Sequence, residues 1–210
     1  MDRKRNYYED IQLFESGVVL FWTAALLIFL FTLPLYTPSY YMFLLSLIMV
    51  HAIMAVGLNI LMGYTGQISL GHAGFFAIGA YGTALLMSKL GLPFFLALPL
   101  AGFLAAFFGF ILGLPALRLE GPYLAIASMG FGLTIMHIIG RWEVFGGRMG
   151  IHAPALDLGL PQWGFSWVLD SDRGKYYLIL VIAIFMVVAA RNILKTRVGR
   201  SFVAIRDSDI

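Results

Sequence analysis

The chain has 210 residues, of which 60% are hydrophobic and only 12% are charged, and its net charge is +3. A soluble globular chain carries roughly 25% charged residues, whereas the stretch from Ser16 to Ser88 contains no Asp, Glu, Lys or Arg. These features exclude a soluble domain. The basic residues lie mainly near the two ends and form no stripe with interleaved aromatic residues, so we expect no nucleic-acid partner.

Six apolar segments predict an all-α integral membrane protein, a polytopic helical bundle, because a spanning helix needs about 20 apolar residues. The segments cover residues 17–36, 40–62, 68–88, 94–114, 123–139 and 176–190. The last one is short, and it reaches a workable length only if Lys175 snorkels and the helix continues to about residue 194. Pro34 and Pro38 are expected to break the first helix and Pro122 to open the fifth, since proline lacks a backbone N–H.

The even number of spans puts both ends of the chain on one side of the membrane. Most of the Lys and Arg residues then lie on the side of the N-terminus, which the positive-inside rule assigns to the cytoplasm. We predict one transmembrane domain over residues 1–210, with a cytoplasmic tail at 1–16, an external loop at 141–175 and a cytoplasmic segment at 191–210. The last segment is basic and amphipathic, so it either lies on lipid headgroups or docks a soluble partner.

A glycine-rich break separates the second and third spans, between Gly63 and Gly74. Non-helical backbone at membrane depth is tolerated only where protein or a water-filled cavity surrounds it, and such interrupted segments are typical of substrate pathways in transporters. An ordinary turn, rich in glycine so that helices can pack closely, is the other interpretation, and both remain open. If the break lines a pathway, the candidate residues are Asn59, Gln67, Ser69 and His72.

Small residues recur at every fourth position of the fourth span and predict close packing against another helix. They are Ala101, Ala105, Gly109 and Gly113. In the fifth span, Ser128 is expected to bond to a backbone carbonyl or to line a pathway.

The sequence contains no convergent catalytic or metal-binding pattern. His51, His72 and His137 lie near membrane depth, but no carboxylate lies in a predicted span and no two histidines have i, i+4 spacing. The chain has no cysteine and no phosphate-binding G-x-x-x-x-G-K-[ST] motif. We therefore expect no catalytic residue, no metal and no cofactor in this chain, and ATP, if it is used, must be bound by another subunit.

Four segments taken together resemble the LivM-type permease of branched-chain amino-acid ABC transporters. They are GLNILMGYTGQISLGHAGFFAIGAYG (57–82), GLPALRLEGPYLAIASMGFG (113–132), FGGRMGI (145–151) and TRVGRSFVAIRDSDI (196–210). They occur in the family's order and cover about a third of the chain, a combination that is specific although no single piece would be.

The resemblance implies an import permease in a bacterial or archaeal plasma (inner) membrane, not an enzyme, in contact with membrane lipid. It implies a LivH-type permease, two cytoplasmic ATP-binding subunits and a periplasmic or extracellular solute-binding protein as partners, and a branched-chain (hydrophobic) amino acid as substrate. Urea or another small amide or amino acid is the alternative substrate, and a stand-alone channel or secondary carrier is the alternative function.

The resemblance also makes the cytoplasmic segment 191–210 the ATPase-docking segment, with the contact itself assigned to residues 199–210, and it implies that the family's chain continues beyond residue 210. We therefore expect this permease domain to be incomplete at its C-terminus. The residues expected to contact the ATPase are Gly199, Arg200, Phe202, Ala204, Ile205, Arg206 and Asp207.

Overall fold

The structure is a computed structural model that describes residues 17–116, 119, 121–156, 169 and 171–207, without the side chains of Ala116, Arg148 and Asp207. The predicted tail at 1–16 lies outside the described residues, as do parts of the predicted loop at 141–175 and the last three residues of the segment 191–210.

Helices account for most of the described chain. In chain order they are α1 Gly17–Tyr36, α2 Ser39–Asn59, the π-helical turn Ile60–Tyr64, α3 His72–Leu90, α4 Phe94–Ala116, α5 Pro122–Arg141, two 3₁₀ turns at Glu143–Phe145 and Gly147–Met149, α6 Asp172–Lys195 and α7 Arg197–Asp207. Within the described part of the chain, α1 to α6 are each long and apolar enough to cross a membrane. The predicted all-α polytopic bundle is confirmed.

The structure departs from the sequence prediction at the start of the third helix and in the effect of Pro34, and it matches the extended length expected for the sixth helix. The third helix begins at His72 and not near residue 68, because the glycine-rich backbone before it is not helical. Pro34 does not break α1, which passes through it and ends at Tyr36, whereas Pro38 occupies the N-cap of α2. The sixth helix extends well beyond its apolar core at both ends, as the snorkelling interpretation of Lys175 requires.

Pro34 is tolerated inside α1 because another helix supplies the hydrogen bond that proline cannot make. An α-helical residue normally donates its N–H to the carbonyl four residues earlier, so Pro34 leaves the carbonyl of Leu30 without that donor. The hydroxyl of Tyr176 in α6 donates to this carbonyl at 2.8 Å. The neighbouring Tyr177 hydroxyl donates to the carbonyl of Phe31 at 3.0 Å. Two adjacent tyrosines therefore fasten α6 to the proline-containing turn of α1.

The helices pack in two groups. In one group α2 lies along α6, and Tyr176 is fully buried between them with Met42 and Leu180. In the other, α3 packs against α4 and, less extensively, against α5. The glycine-rich break between α2 and α3 is one of the chain segments that connect the two groups.

We predict that Tyr176→Phe lowers the free energy of unfolding by about 1 kcal/mol, because it leaves the partly buried carbonyl of Leu30 without a donor. The measurement is denaturant unfolding in detergent micelles. The matched control is Tyr177→Phe, which should cost less because the carbonyl of Phe31 also accepts a backbone N–H of its own helix.

A double-mutant cycle tests the role assigned to the proline. Pro34→Ala restores a backbone N–H that can reach the Leu30 carbonyl, so Tyr176→Phe should cost less in the Pro34→Ala background than in the parent. Equal costs in both backgrounds would show that the hydroxyl does not replace the missing backbone donor.

Candidate functional site

The glycine-rich break begins where α2 widens into the π-helical turn Ile60–Tyr64. The carbonyl of Leu61 accepts two hydrogen bonds there, one from the hydroxyl of Thr65 and one from the backbone N–H of Gln67, the latter at 3.3 Å. Between these donors, Gly66 has a φ of 70°, a left-handed conformation that glycine adopts without steric cost. The chain leaves the helix by a turn that its own backbone and one threonine stabilise.

The far end of the break is held against α5. The backbone N–H of Leu70 donates to the Ser128 hydroxyl at 2.9 Å, and this hydroxyl donates to the carbonyl of Ala125 at 2.9 Å. At the next residue, a Cβ on Gly71 would overlap the carbonyl oxygen of Ser128. The two backbones approach so closely here that only glycine fits at position 71.

A cavity of about 390 Å³ lies beside the break, between the end of α2 and helices α3, α4 and α5. Its lining residues are Leu61, Gln67, Ser69, His72, Phe75, Ala105, Ala106, Gly109, Leu112, Gly113, Leu124 and Ser128. Most of these side chains are apolar, a few are polar, and none is Asp, Glu, Lys or Arg. Ligand sites for small, partly apolar molecules have this composition.

The row of small residues on α4, from Ala101 to Gly113, packs against α3 at one end and lines the cavity at the other. At one end, the Cβ of Ala101 lies 3.3 Å from where a Cβ on Gly82 of α3 would be, which confirms close helix packing. Further along, Ala105, Gly109 and Gly113 line the cavity. This row therefore leaves volume beside the break that larger side chains would fill.

The structure brings three of the four candidate pathway residues to this cavity. Gln67, Ser69 and His72 line it, and the side chain of Ser69 is buried. Asn59 is exposed and is not among the lining residues; its side chain lies against Gly63. The break has features of both interpretations, since it is a closely packed turn and it also borders a cavity. A pathway role for these residues remains a prediction.

The three histidines lie apart from one another. The Nδ1 atoms of His51 and His137 are hydrogen-bonded to backbone carbonyls one turn earlier in their own helices, at 2.8 and 2.9 Å. The His72 ring lies against Gly57 of α2, with Nε2 3.4 Å from where a Cβ would be. Among the residues that the structure describes, no group of three His, Cys, Asp or Glu side chains could hold a metal ion.

The candidate docking residues of α7 divide into an outer and an inner set. Arg200, Ala204 and Ile205 are exposed. Phe202 is half-buried and Gly199 is buried. Gly199 lies so close to the end of α6 that a Cβ at this position would overlap the carbonyl of Leu194. The side chain of Asp207 lies outside the described part of the structure.

Arg206 differs from the other docking candidates because its side chain lies on the glycine-rich break. Its Nη1 donates to the carbonyl of Gly63 at 3.3 Å, and its Cγ lies 2.9 Å from where a Cβ on Gly66 would be.

Sequence reasoning missed two features of the site. The small residues of α4 at four-residue spacing predict close packing, and the same pattern is expected whether they pack against a helix or line a cavity. The contact between Arg206 and the break joins residues 143 positions apart, and no local pattern indicates it. Glycines at positions 63 and 66 were the available signal, since a glycine often marks a close approach by another group.

Residues 40–210 match the family described as the permease component of branched-chain amino acid transport systems. The chain belongs to this family. It is 34% identical over 184 residues to the high-affinity branched-chain amino acid transport system permease protein LivM of Escherichia coli K12, a match that covers 79% of this chain and 43% of the relative. The LivM protein of Salmonella typhimurium LT2 is 35% identical over 185 residues, with the same coverage. No solved structure matches the chain.

Membership of this permease family, together with the six long apolar helices, makes the chain a multi-pass membrane protein of the transport class. The resemblance found in the four sequence segments is confirmed. The chain spans less than half the length of the curated relatives that it matches.

We predict that Gly71→Ala strongly reduces the yield of folded, monodisperse protein in detergent, because the added methyl group would overlap the Ser128 carbonyl. The matched control is Gly79→Ala in α3, where nothing lies within 4 Å of the added Cβ. Size-exclusion chromatography of both variants makes the comparison. Equal yields would mean that the break does not lie this close to α5.

Proposed function

We propose that the chain is a transmembrane permease component of an ATP-driven importer of branched-chain amino acids. The cavity beside the glycine-rich break is the observation that carries the proposal. A branched-chain amino acid has an apolar side chain and a small zwitterionic end, and the cavity offers mainly apolar walls with a few hydroxyl, amide and imidazole groups. A site that had to bind a charged side chain would need an opposite charge within reach, and among the residues that the structure describes, the lining contains no Asp, Glu, Lys or Arg.

The polar lining groups fit the zwitterionic end of such a solute. The hydroxyl of Ser69, the amide of Gln67 and the ring of His72 can donate or accept hydrogen bonds, which limits the cost of removing the ammonium and carboxylate from water. Phe75 and the aliphatic residues Leu61 and Leu124 supply apolar contacts for the side chain. The cavity favours a leucine-like solute over urea, because urea would leave these apolar walls without contacts.

Energy for transport would come from other subunits. The sequence has no phosphate-binding loop, so we assign ATP hydrolysis to two cytoplasmic ATP-binding partners. The exposed face of α7 is suited to docking them, since it presents Arg200 beside Ala204 and the half-exposed Ile205. A second permease of the LivH type and a solute-binding protein complete the proposed assembly.

The proposed location is the plasma (inner) membrane, with the N-terminus in the cytoplasm. The alternation of spans then puts α7 and the glycine-rich break on the cytoplasmic side, where the ATPases are. The contact between Arg206 and Gly63 supports a common side for these two elements.

The proposal is tested on the protein purified through an affinity tag from its native membranes. We expect two ATPases and a second permease to co-elute, and we expect the assembly in proteoliposomes to take up leucine when ATP and the solute-binding protein are present. Excess isoleucine or valine should compete, and urea should not. Uptake without ATP, by the tagged chain alone, would overturn the proposal in favour of a channel or secondary carrier.

Filling the cavity should block transport without harming assembly. Gly113→Leu adds an isobutyl group on the cavity side of α4, where nothing lies within 4 Å of the added Cβ. Leucine is a better helix former than glycine, by nearly 1 kcal/mol, so the helix should tolerate the change. We expect leucine uptake to fall severely while the ATPases still co-elute.

The matched control for this variant is Gly102→Leu, which makes the same change in the same helix, also with nothing within 4 Å, but away from the cavity lining. It should leave uptake near the parental level. Equal uptake by both variants would show that the cavity is not on the transport path.

Reversal of charge on the outer face of α7 tests the docking role. Arg200→Glu should reduce co-elution of the ATPases, because charge-assisted contacts to an acidic partner become repulsive. The matched control is Arg173→Glu, which makes the same change at the exposed first turn of α6, at the opposite end of that helix from the docking segment, and it should leave co-elution unchanged. Unchanged co-elution in the Arg200→Glu variant would remove Arg200 from the interface.

A further inference from the structure

The side chain of Arg206 connects α7 to the glycine-rich break at two points. The aliphatic part packs over Gly66, where even a methyl group would come within 2.9 Å of Cγ. The guanidinium donates to the carbonyl of Gly63 in the π-helical turn. Carbonyls at the end of a helix lack the usual donor from the following turn, so this carbonyl is available to accept the bond.

The segment that Arg206 contacts leads directly into the cavity. Gln67 follows Gly66 in the chain, and Ser69 comes two residues later; both line the cavity. At the other end of the segment, the N–H of Leu70 is bound to Ser128 of α5. The cavity side chains of the break therefore lie between one attachment to α7 and another to α5.

Helix α7 is itself held at its base. The hydroxyl of Thr196 accepts from the backbone N–H of Val198 at 3.3 Å, and Gly199 packs directly against the carbonyl of Leu194. The N-terminal part of α7 thus contacts the end of α6, and its C-terminal part contacts the break through Arg206. A partner that displaces the exposed face of α7 would therefore also displace the contact between Arg206 and the break.

We propose that Arg206 is a positioning residue that couples movement of α7 to the cavity, through Gly63 and Gly66 to Gln67 and Ser69. The π-helical turn Ile60–Tyr64 is the element that changes, because a return to α-helical bonding would rotate the residues that follow it. The proposal rests on the proposed function. It assigns docking of the ATPase to Arg200, and it assigns to Arg206 the transmission of the ATPase's movement to the cavity.

The test uses the complete assembly with Arg206→Met, which keeps a long apolar side chain and removes the donor. We expect the ATPases to co-elute, because the Arg206 side chain contacts Gly63 and Gly66 of the break, whereas the proposed docking face is formed by Arg200, Ala204 and Ile205. The docking role that the sequence suggests for Arg206 is not part of this proposal. Leucine uptake per ATP hydrolysed should fall by roughly tenfold, the scale of a typical coupling free energy between two sites. Arg206→Lys should recover part of the uptake, because an ammonium group can also donate to the Gly63 carbonyl.

Arg197→Met is the matched control, since it makes the same substitution at the exposed start of α7 and away from the break. It should leave uptake per ATP unchanged. Parental coupling in the Arg206→Met assembly would overturn the proposal, and so would loss of the ATPases from it, because Arg206 would then act in docking. Failure of the parental assembly to use ATP would instead refute the proposed function.

A second readout follows the break directly and does not depend on transport. The chain has no native cysteine, so a single Gln67→Cys reports on the cavity through its rate of reaction with a thiol reagent. Addition of a non-hydrolysable ATP analogue should change this rate in the assembly with Arg206 intact, and should have no effect when Arg206→Met is also present. An equal response in both would exclude transmission through Arg206.

Discussion

The structure depends on one constraint, which is that a bilayer offers no water to backbone groups that lack a hydrogen bond. Two departures from regular α-helix in the described part of the chain are each matched by a side chain of another helix. The carbonyl of Leu30, left without a donor by Pro34, accepts a hydrogen bond from the hydroxyl of Tyr176. The N–H of Leu70 donates a hydrogen bond to the hydroxyl of Ser128. Among the described residues, no buried side-chain nitrogen or oxygen lacks a hydrogen-bond partner. Side chains of helices distant in sequence therefore stabilise the proline-containing turn and the glycine-rich break. The need to satisfy these backbone groups fixes which helices pack together.

The glycine-rich break shows how the same residues can serve packing and function. Gly71 allows the break to touch the backbone of α5, and Gly66 allows the turn itself and also the approach of Arg206. Small residues of α4 leave the volume that becomes the cavity. A helix with larger side chains at these positions would bury more surface, but it would remove the space in which a solute could be held.

Much of the fold could be predicted from the sequence because the signals are local. Runs of apolar residues predict the six spans, and Pro122 marks the start of α5 where the structure has it. The start of α3 was less predictable, since Ile68 to Gly71 are as apolar as the helix that follows and only hydrogen bonding to α5 distinguishes them. The site was predictable in part. The polarity of Gln67, Ser69 and His72 pointed to the break, whereas the cavity wall of α4 and the contact of Arg206 depend on which helices meet, and periodicity along one helix carries no such information.

The attachment of α6 to α1 has a consequence for biogenesis. The hydroxyl that satisfies the Leu30 carbonyl belongs to a residue 146 positions later in the chain. During synthesis, α1 therefore enters the membrane with a carbonyl that has no lasting partner until α6 arrives. A chain arrested before Tyr176 would expose this group to lipid or to the insertion machinery, and it would be a natural substrate for membrane quality control. The carbonyl next to Pro34 therefore gains its side-chain donor only after α6 has been synthesised.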